Sequence, residues 1–140
     1  AMETAENVLT TRKNDVQAIL ANNSGMAHGA VQAIEEQKLT GKVFVAGADA
    51  DLASIQNIVA GKQQFEVMIS INDMARRAGE VAVDLAQGKA LKADSQVSNG
   101  FGQIPTINTP VFGIDKSQVE ARIIKTGFHP ASAVYGKSKH

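Results

Sequence analysis

Residues 43–58 read VFVAGADADLASIQNI. An apolar run from Val43 to Ala46 stops at Gly47. Asp49 and Asp51 follow, and then a helical pattern starts, with Leu52, Ile55, Ile58 and Val59 on one face. A buried strand, a glycine turn and an acid ahead of an amphipathic helix make a βα unit. In open α/β sheets, ligands bind beyond the carboxyl ends of the strands, where these acids stand. The stretch therefore points to small-molecule recognition rather than to chemistry.

The same alternation continues on both sides. Residues 2–12 predict a helix and 16–20 a strand. Ser24 is placed to cap a helix over 25–38, with Met26, Ala30, Ala33 and Ile34 on one stripe. Asp51 or Asp49 is placed to cap the helix after residue 51, and Gly61 breaks it. Residues 65–71 predict a third strand. Asn72 or Asp73 opens a helix over 73–88 whose apolar positions are Met74, Ala78, Val81, Ala82 and Leu85. Residues 92–109, with Asn99-Gly100, Gly102 and Pro105, read as irregular. A last strand over 110–114 and a short helix over 117–125 follow, and residues 128–140 read as a polar, mobile tail. Repeated βα units with short connections imply an α/β fold, a mainly parallel sheet between helices in three α/β/α layers.

Composition narrows the function. The 140 residues are 44% hydrophobic, which suits one compact domain. Fourteen basic and fourteen acidic residues cancel, so no single-sign field steers nucleic acid to the chain. Aromatics are sparse and Trp is absent, which argues against base-stacking platforms. The lack of Cys excludes a disulfide framework, a thiolate zinc site and a Cys nucleophile. No apolar run approaches the ~20 residues of a membrane span. The first residues lack the basic and apolar regions of a signal peptide. The sequence starts inside a helical pattern, which suggests a piece of a longer protein.

Asn23 and Asp49 are the candidate ligand contacts. Each follows a predicted strand and precedes a helix. An amide that donates and accepts, beside a carboxylate that accepts strongly, could hold vicinal sugar hydroxyls. Helix capping explains the same residues, since Asn and Asp favour helix starts. Asp49 and Asp51 lack a third ligand or a His nearby, so no metal site is expected. His28, His129 and His140 belong to no nucleophile–base pattern, and Gly25 and Gly29 form no dinucleotide fingerprint. No catalytic residue and no cofactor are expected.

Four segments occur in the order seen in periplasmic sugar-binding proteins. They are ANNSGMAHGAVQAI (21–34), GKVFVAGADADLASIQNIVAGKQ (41–63), AGEVAVDLAQGKALKAD (78–94) and NGFGQIPT (99–106). The chain most resembles the D-xylose-binding branch, which serves ABC transporters, and the similarity runs over residues 2–129. The resemblance implies two α/β lobes joined by three hinge crossings, with sugar in the cleft between them. Residues 1–127 would be an incomplete C-terminal lobe of this type I periplasmic binding protein fold, and the helix over 73–88 would pack on an N-terminal lobe. Asn23 and Asp49 match cleft residues that bond sugar hydroxyls. The Asp that usually follows the Asn falls on Ser24, and the Lys of the xylose branch falls on Ile69, where no polar contact is possible. A slip of one residue would put Ser70 there instead.

The function implied is the substrate-binding component of a sugar ABC importer. Its ligand would be a monosaccharide such as xylose or a related pentose, its partner a membrane permease and its compartment the periplasm. The alternative is the effector-binding core of a LacI-type regulator or a sugar sensor. A flavodoxin-like enzyme would need a phosphate-cradling loop or an activated nucleophile, and neither is visible. The bare sheet edge and orphan helix face of an incomplete lobe predict a homodimer.

Overall fold

The computed structural model describes residues 1–136. They fall into two units, one formed by Ala1–Met68 and the segment from Phe112 onward, the other by Ile69–Val111.

In the first unit, helices and strands alternate in the order α1 (Met2–Thr11), β1 (Ala18–Leu20), α2 (Ser24–Glu36), β2 (Phe44–Ala48), α3 (Leu52–Val59) and β3 (Phe65–Ile69). The chain returns to the sheet as β6 (Val111–Ile114), followed by a π-helical turn, Val119–Ile124, and α5 (Ala131–Val134). The sheet order is β1-β2-β3-β6, and β1, β2 and β3 run parallel. The expected α/β class with a mainly parallel sheet is the one adopted.

Helix α1 buries Ala5 and Leu9, while α2 buries Ala27, Ala30, Val31, Ala33 and Ile34. The small residues of α2 let α1 and the sheet approach closely: a Cβ on Gly29 would stand 3.0 Å from the Met2 backbone nitrogen. Val45 of β2 completes this first cluster. A second cluster gathers Ile55 and Ile58 of α3, Met68 of β3, Ile114 of β6, and Val119 and Ile123 of the π-helical turn. Full burial of each such aliphatic side chain contributes about 1.5–3 kcal/mol. Period-2 alternation puts Val45 and Gly47 on the same sheet face as Glu66 and Met68, because Gly47 pairs with Glu66. The residues that alternate to the opposite face, from Phe44 to Ala48 and from Phe65 to Ile69, are half-buried or exposed.

The C-terminal segment differs from the expected mobile tail. Phe128 and Val134 join the second cluster, Ala131–Val134 is helical, and the Gln56 side chain donates to the Ala133 carbonyl at 2.7 Å. Two apolar side chains in an otherwise polar stretch are enough to dock it. Residues 137–140, including His140, lie outside the described residues.

The second unit holds α4 (Ile71–Ala86), β4 (Ser95–Ser98) and β5 (Gln103–Thr106). Helix α4 starts at Ile71, one residue before the expected Asn72 and two before Asp73, and none of its residues is buried. Residues 92–109 are not irregular. β4 and β5 form an antiparallel hairpin with Ser95 opposite Thr106 and Ser98 opposite Gln103. Residues 99–102 form its turn: Gly100 takes φ +90°, the Asn99 N–H donates to the Gly102 carbonyl, and the Asn99 carboxamide oxygen accepts from the N–H groups of Phe101 and Gly102. The Asn-Gly pair marks a turn, but the flanking strands lack the alternating apolar pattern that would make it a hairpin signal.

Candidate functional site

Parallel pairing brings the carboxyl ends of β1 and β2 to one edge of the sheet, with neighbouring strands about 4.8 Å apart. Asn23 and Asp49 follow those two ends, and both residues are exposed.

Asn23 is the N-cap of α2. It has extended backbone, and its Oδ1 accepts from the Met26 N–H at 2.8 Å. Capping uses the oxygen and leaves the amide nitrogen without a partner among the described residues. The residue can therefore cap the helix and donate outward at once.

Asp49 stands directly after β2 with φ +100°, and Ala50 follows with φ +59°. Such conformations cost non-glycine residues on the order of 1–3 kcal/mol each and persist where the surroundings fix them. Here the surroundings do so from behind. The Asp49 N–H donates to the Val67 carbonyl at 2.8 Å, the Ala50 N–H to Glu66 Oε2 at 3.0 Å, and the Asp51 N–H to Ser24 Oγ at 3.0 Å. A ring nitrogen of His129 lies 2.9 Å from the Ala50 carbonyl oxygen. With the backbone held, the Asp49 carboxylate is the part left facing solvent. Asp51 occupies the N-cap position of α3, but its side chain makes no capping bond.

Ser24 does not cap its helix as expected; Asn23 does. Ser24 is 1% exposed, and its Oγ lies 2.9 Å from the Ala48 carbonyl and 2.8 Å from Glu66 Oε2. A hydroxyl has one proton to give, so these two acceptors share it. Glu66, fully buried, also accepts from Gln63 Nε2 at 2.6 Å. Sequence reasoning missed Glu66. Its signal is a lone acid inside the apolar strand FEVMI, where a carboxylate must find partners or stay out.

Ile69 is the last residue of β3, half-buried, and begins the second unit. It brings no polar atom, as its side chain dictates. His28 contacts the Asn57 carboxamide at 3.1 Å, a structural role. Among the described residues no cluster of His, Asp or Glu could hold a metal ion, and no helix is long and apolar enough to cross a membrane. An apolar groove of about 340 Å³ lies at the free β1 edge between α1 and α2, lined in part by Val8, Val16, Leu20 and Met26. Neither Asn23 nor Asp49 lines it; both are exposed at the strand ends.

A family model for the periplasmic binding protein domain matches residues 1–90. The chain is 38% identical over 135 residues to a D-xylose-binding periplasmic protein of Haemophilus influenzae, covering 96% of this chain and 41% of that protein. It is 41% identical over 133 residues to the D-xylose-binding periplasmic protein of Escherichia coli, covering 94% and 40%. The chain thus spans about two fifths of the length of these relatives. Among solved structures it is similar to a carbohydrate transporter solute binding protein from Chloroflexus aurantiacus in complex with D-glucose. That match has a TM-score of 0.81 and 29% identity, covering 94% of this chain and 41% of the other. The parallel sheet, the order of its βα units and these likenesses agree: the chain has the type I periplasmic binding protein fold and belongs to the periplasmic binding protein domain family.

Proposed function

We propose that this chain carries half of the sugar-binding cleft of a substrate-binding component for a sugar ABC importer. Asn23 and Asp49 are its direct ligand contacts: Asn23 donates from its amide nitrogen, and Asp49 accepts from sugar hydroxyls. The observation that supports this is their shared placement. Two exposed polar side chains, Asn23 fixed by its cap on Met26 and Asp49 ahead of amides held by Glu66 and Ser24, stand past adjacent parallel strands. The xylose-binding relatives and the glucose-bound structure favour a monosaccharide, with D-xylose the first ligand to test.

The role is binding and delivery to a membrane permease in the periplasm, without catalysis. Ligand would shift an open–closed equilibrium between two lobes, residues 1–127 supplying part of one. Ile69 donates nothing where the resemblance expects a Lys, and part of one lobe encloses little of a sugar, so this chain is expected to bind in the millimolar range, about −4 kcal/mol. The test is a pair of substitutions. Asp49→Ala is expected to abolish D-xylose-induced amide shifts while the fold persists. Asn23→Asp keeps the capping oxygen but removes the donor, and is expected to weaken binding with α2 intact. Unchanged affinity in both variants would refute the assignment.

The same reading includes self-association. Leu20 is 78% exposed on the edge strand β1, with Val8 and Met26 beside it, and a second copy would cover that edge. Light scattering at tens of micromolar is expected to give twice the chain mass; a monomer there would contradict it.

A further inference from the structure

The buried acid on β3 has no place in the contacts proposed so far. Glu66 sits fully buried beneath the 48–51 loop, and Gln63 Nε2 holds its Oε1 at 2.6 Å while also donating to the Phe65 carbonyl at 3.1 Å. Its Oε2 receives the Ala50 N–H at 3.0 Å and lies 2.8 Å from Ser24 Oγ, which in turn receives the Asp51 N–H. One carboxylate oxygen thus fixes two consecutive amides of the loop, the first directly and the second through a hydroxyl. The residue between them and β2 is Asp49, at φ +100°. Space is arranged around this acid too: at Gly47, opposite Glu66 in the register, a Cβ would collide with Glu66 Oε1 and stand 2.8 Å from the Ala27 Cβ.

We propose that Glu66 is a positioning residue for the ligand site, holding Asp49 in its left-handed conformation through the Ala50 amide and the Ser24 hydroxyl. This deepens the sugar-binding reading and rests on it for its purpose, while the clamp itself is testable without a sugar. A buried carboxylate is a costly way to tie a loop, and a buried donor left without an acceptor is costly as well. The arrangement keeps the Asp49 backbone fixed before any ligand arrives, and preorganised groups bind more tightly because less order is lost on binding.

The experiment compares Glu66→Ala, Glu66→Gln and Ser24→Ala in the full chain by NMR. It reads the HN–Hα couplings and amide exchange of residues 49–51, and titrates each variant with D-xylose. Glu66→Ala is expected to move the Asp49 and Ala50 couplings toward averaged values and to unprotect the Ala50 amide, with the resonances of Leu9, Val31 and Ile34 unchanged. Its xylose dissociation constant rises about tenfold, the equivalent of one lost buried hydrogen bond. Glu66→Gln rescues the conformation, because a Gln oxygen accepts the same Ala50 N–H. Its amide nitrogen then faces Gln63, whose Oε1 is now buried without a partner and can turn to accept. If Glu66→Ala does not fold, Ser24→Ala decides: it removes the bridge and is expected to shift Asp51 and Asp49. Unchanged Asp49 couplings in the folded variants would overturn the proposal. Shifted couplings in a chain that binds no xylose would uphold the clamp and reject D-xylose as the ligand.

Discussion

At the residue scale, two glycine and asparagine positions carry separable physics. Gly47 has no room for a side chain between Ala27 and Glu66. Gly47→Ala is therefore expected to cost about 2 kcal/mol by overpacking, measured as a lower urea midpoint at unchanged slope. Asn23→Ala removes the cap on Met26 and is expected to cost about 1 kcal/mol, whereas Asn23→Asp keeps it. Capping and ligand contact, open alternatives in the sequence, are compatible because they use different atoms of one amide. Position 24 was harder to read. A Ser before a helical run reads as a cap, but Ser24 is turned inward by partners 24 and 42 residues away in sequence. Local preference does not register such partners. The resemblance expects an acid at position 24; the acid beside Ser24 here is Glu66, 2.8 Å from its Oγ.

At the element scale, the strands and helices with clear periodicity were legible: α1, β1, β2, α3 and β3 lie within a few residues of where the pattern puts them. The hairpin of β4 and β5 was not, because its strands alternate little and none of their residues is buried. Helix α4 has no buried face and carries exposed ion pairs along its length. The Ser70 hydroxyl and then Arg76 hold the Asp73 carboxyl below the usual range. Arg76, followed by Arg77, lowers Glu80, and the Lys89 ammonium lowers Asp84. A carboxylate with a lowered folded-state pKa contributes its stability above the ordinary value and loses it as pH falls through the lowered one. The contribution of these exposed pairs to α4 is therefore expected to be complete above about pH 4 and to fade below it, as a partial loss of helicity. The amide shifts of residues 72–84 would follow this, and shifts that stay flat down to pH 2 would contradict it.

At the scale of the whole molecule, the fold came from the repeated βα unit, and the family from four segments spread over most of the chain. The edge proposed to bind was legible for the same reason: in a parallel sheet the strand ends line up, so the polar residues after successive strands share one side. What the sequence hid is how those residues are held. Buried contacts between α2, the 48–51 loop and β3 set the geometry, and no spacing rule reveals them. The account stands most directly on whether Asn23 and Asp49, past the strand ends, receive a sugar. We would titrate the unmodified chain with D-xylose and follow its amide shifts, with D-ribose, L-arabinose, D-glucose and D-galactose as comparisons. The account predicts saturable, millimolar shifts with at least one of these sugars, centred on residues 22–26 and 48–51. The absence of shifts at those residues up to tens of millimolar of every sugar would contradict it.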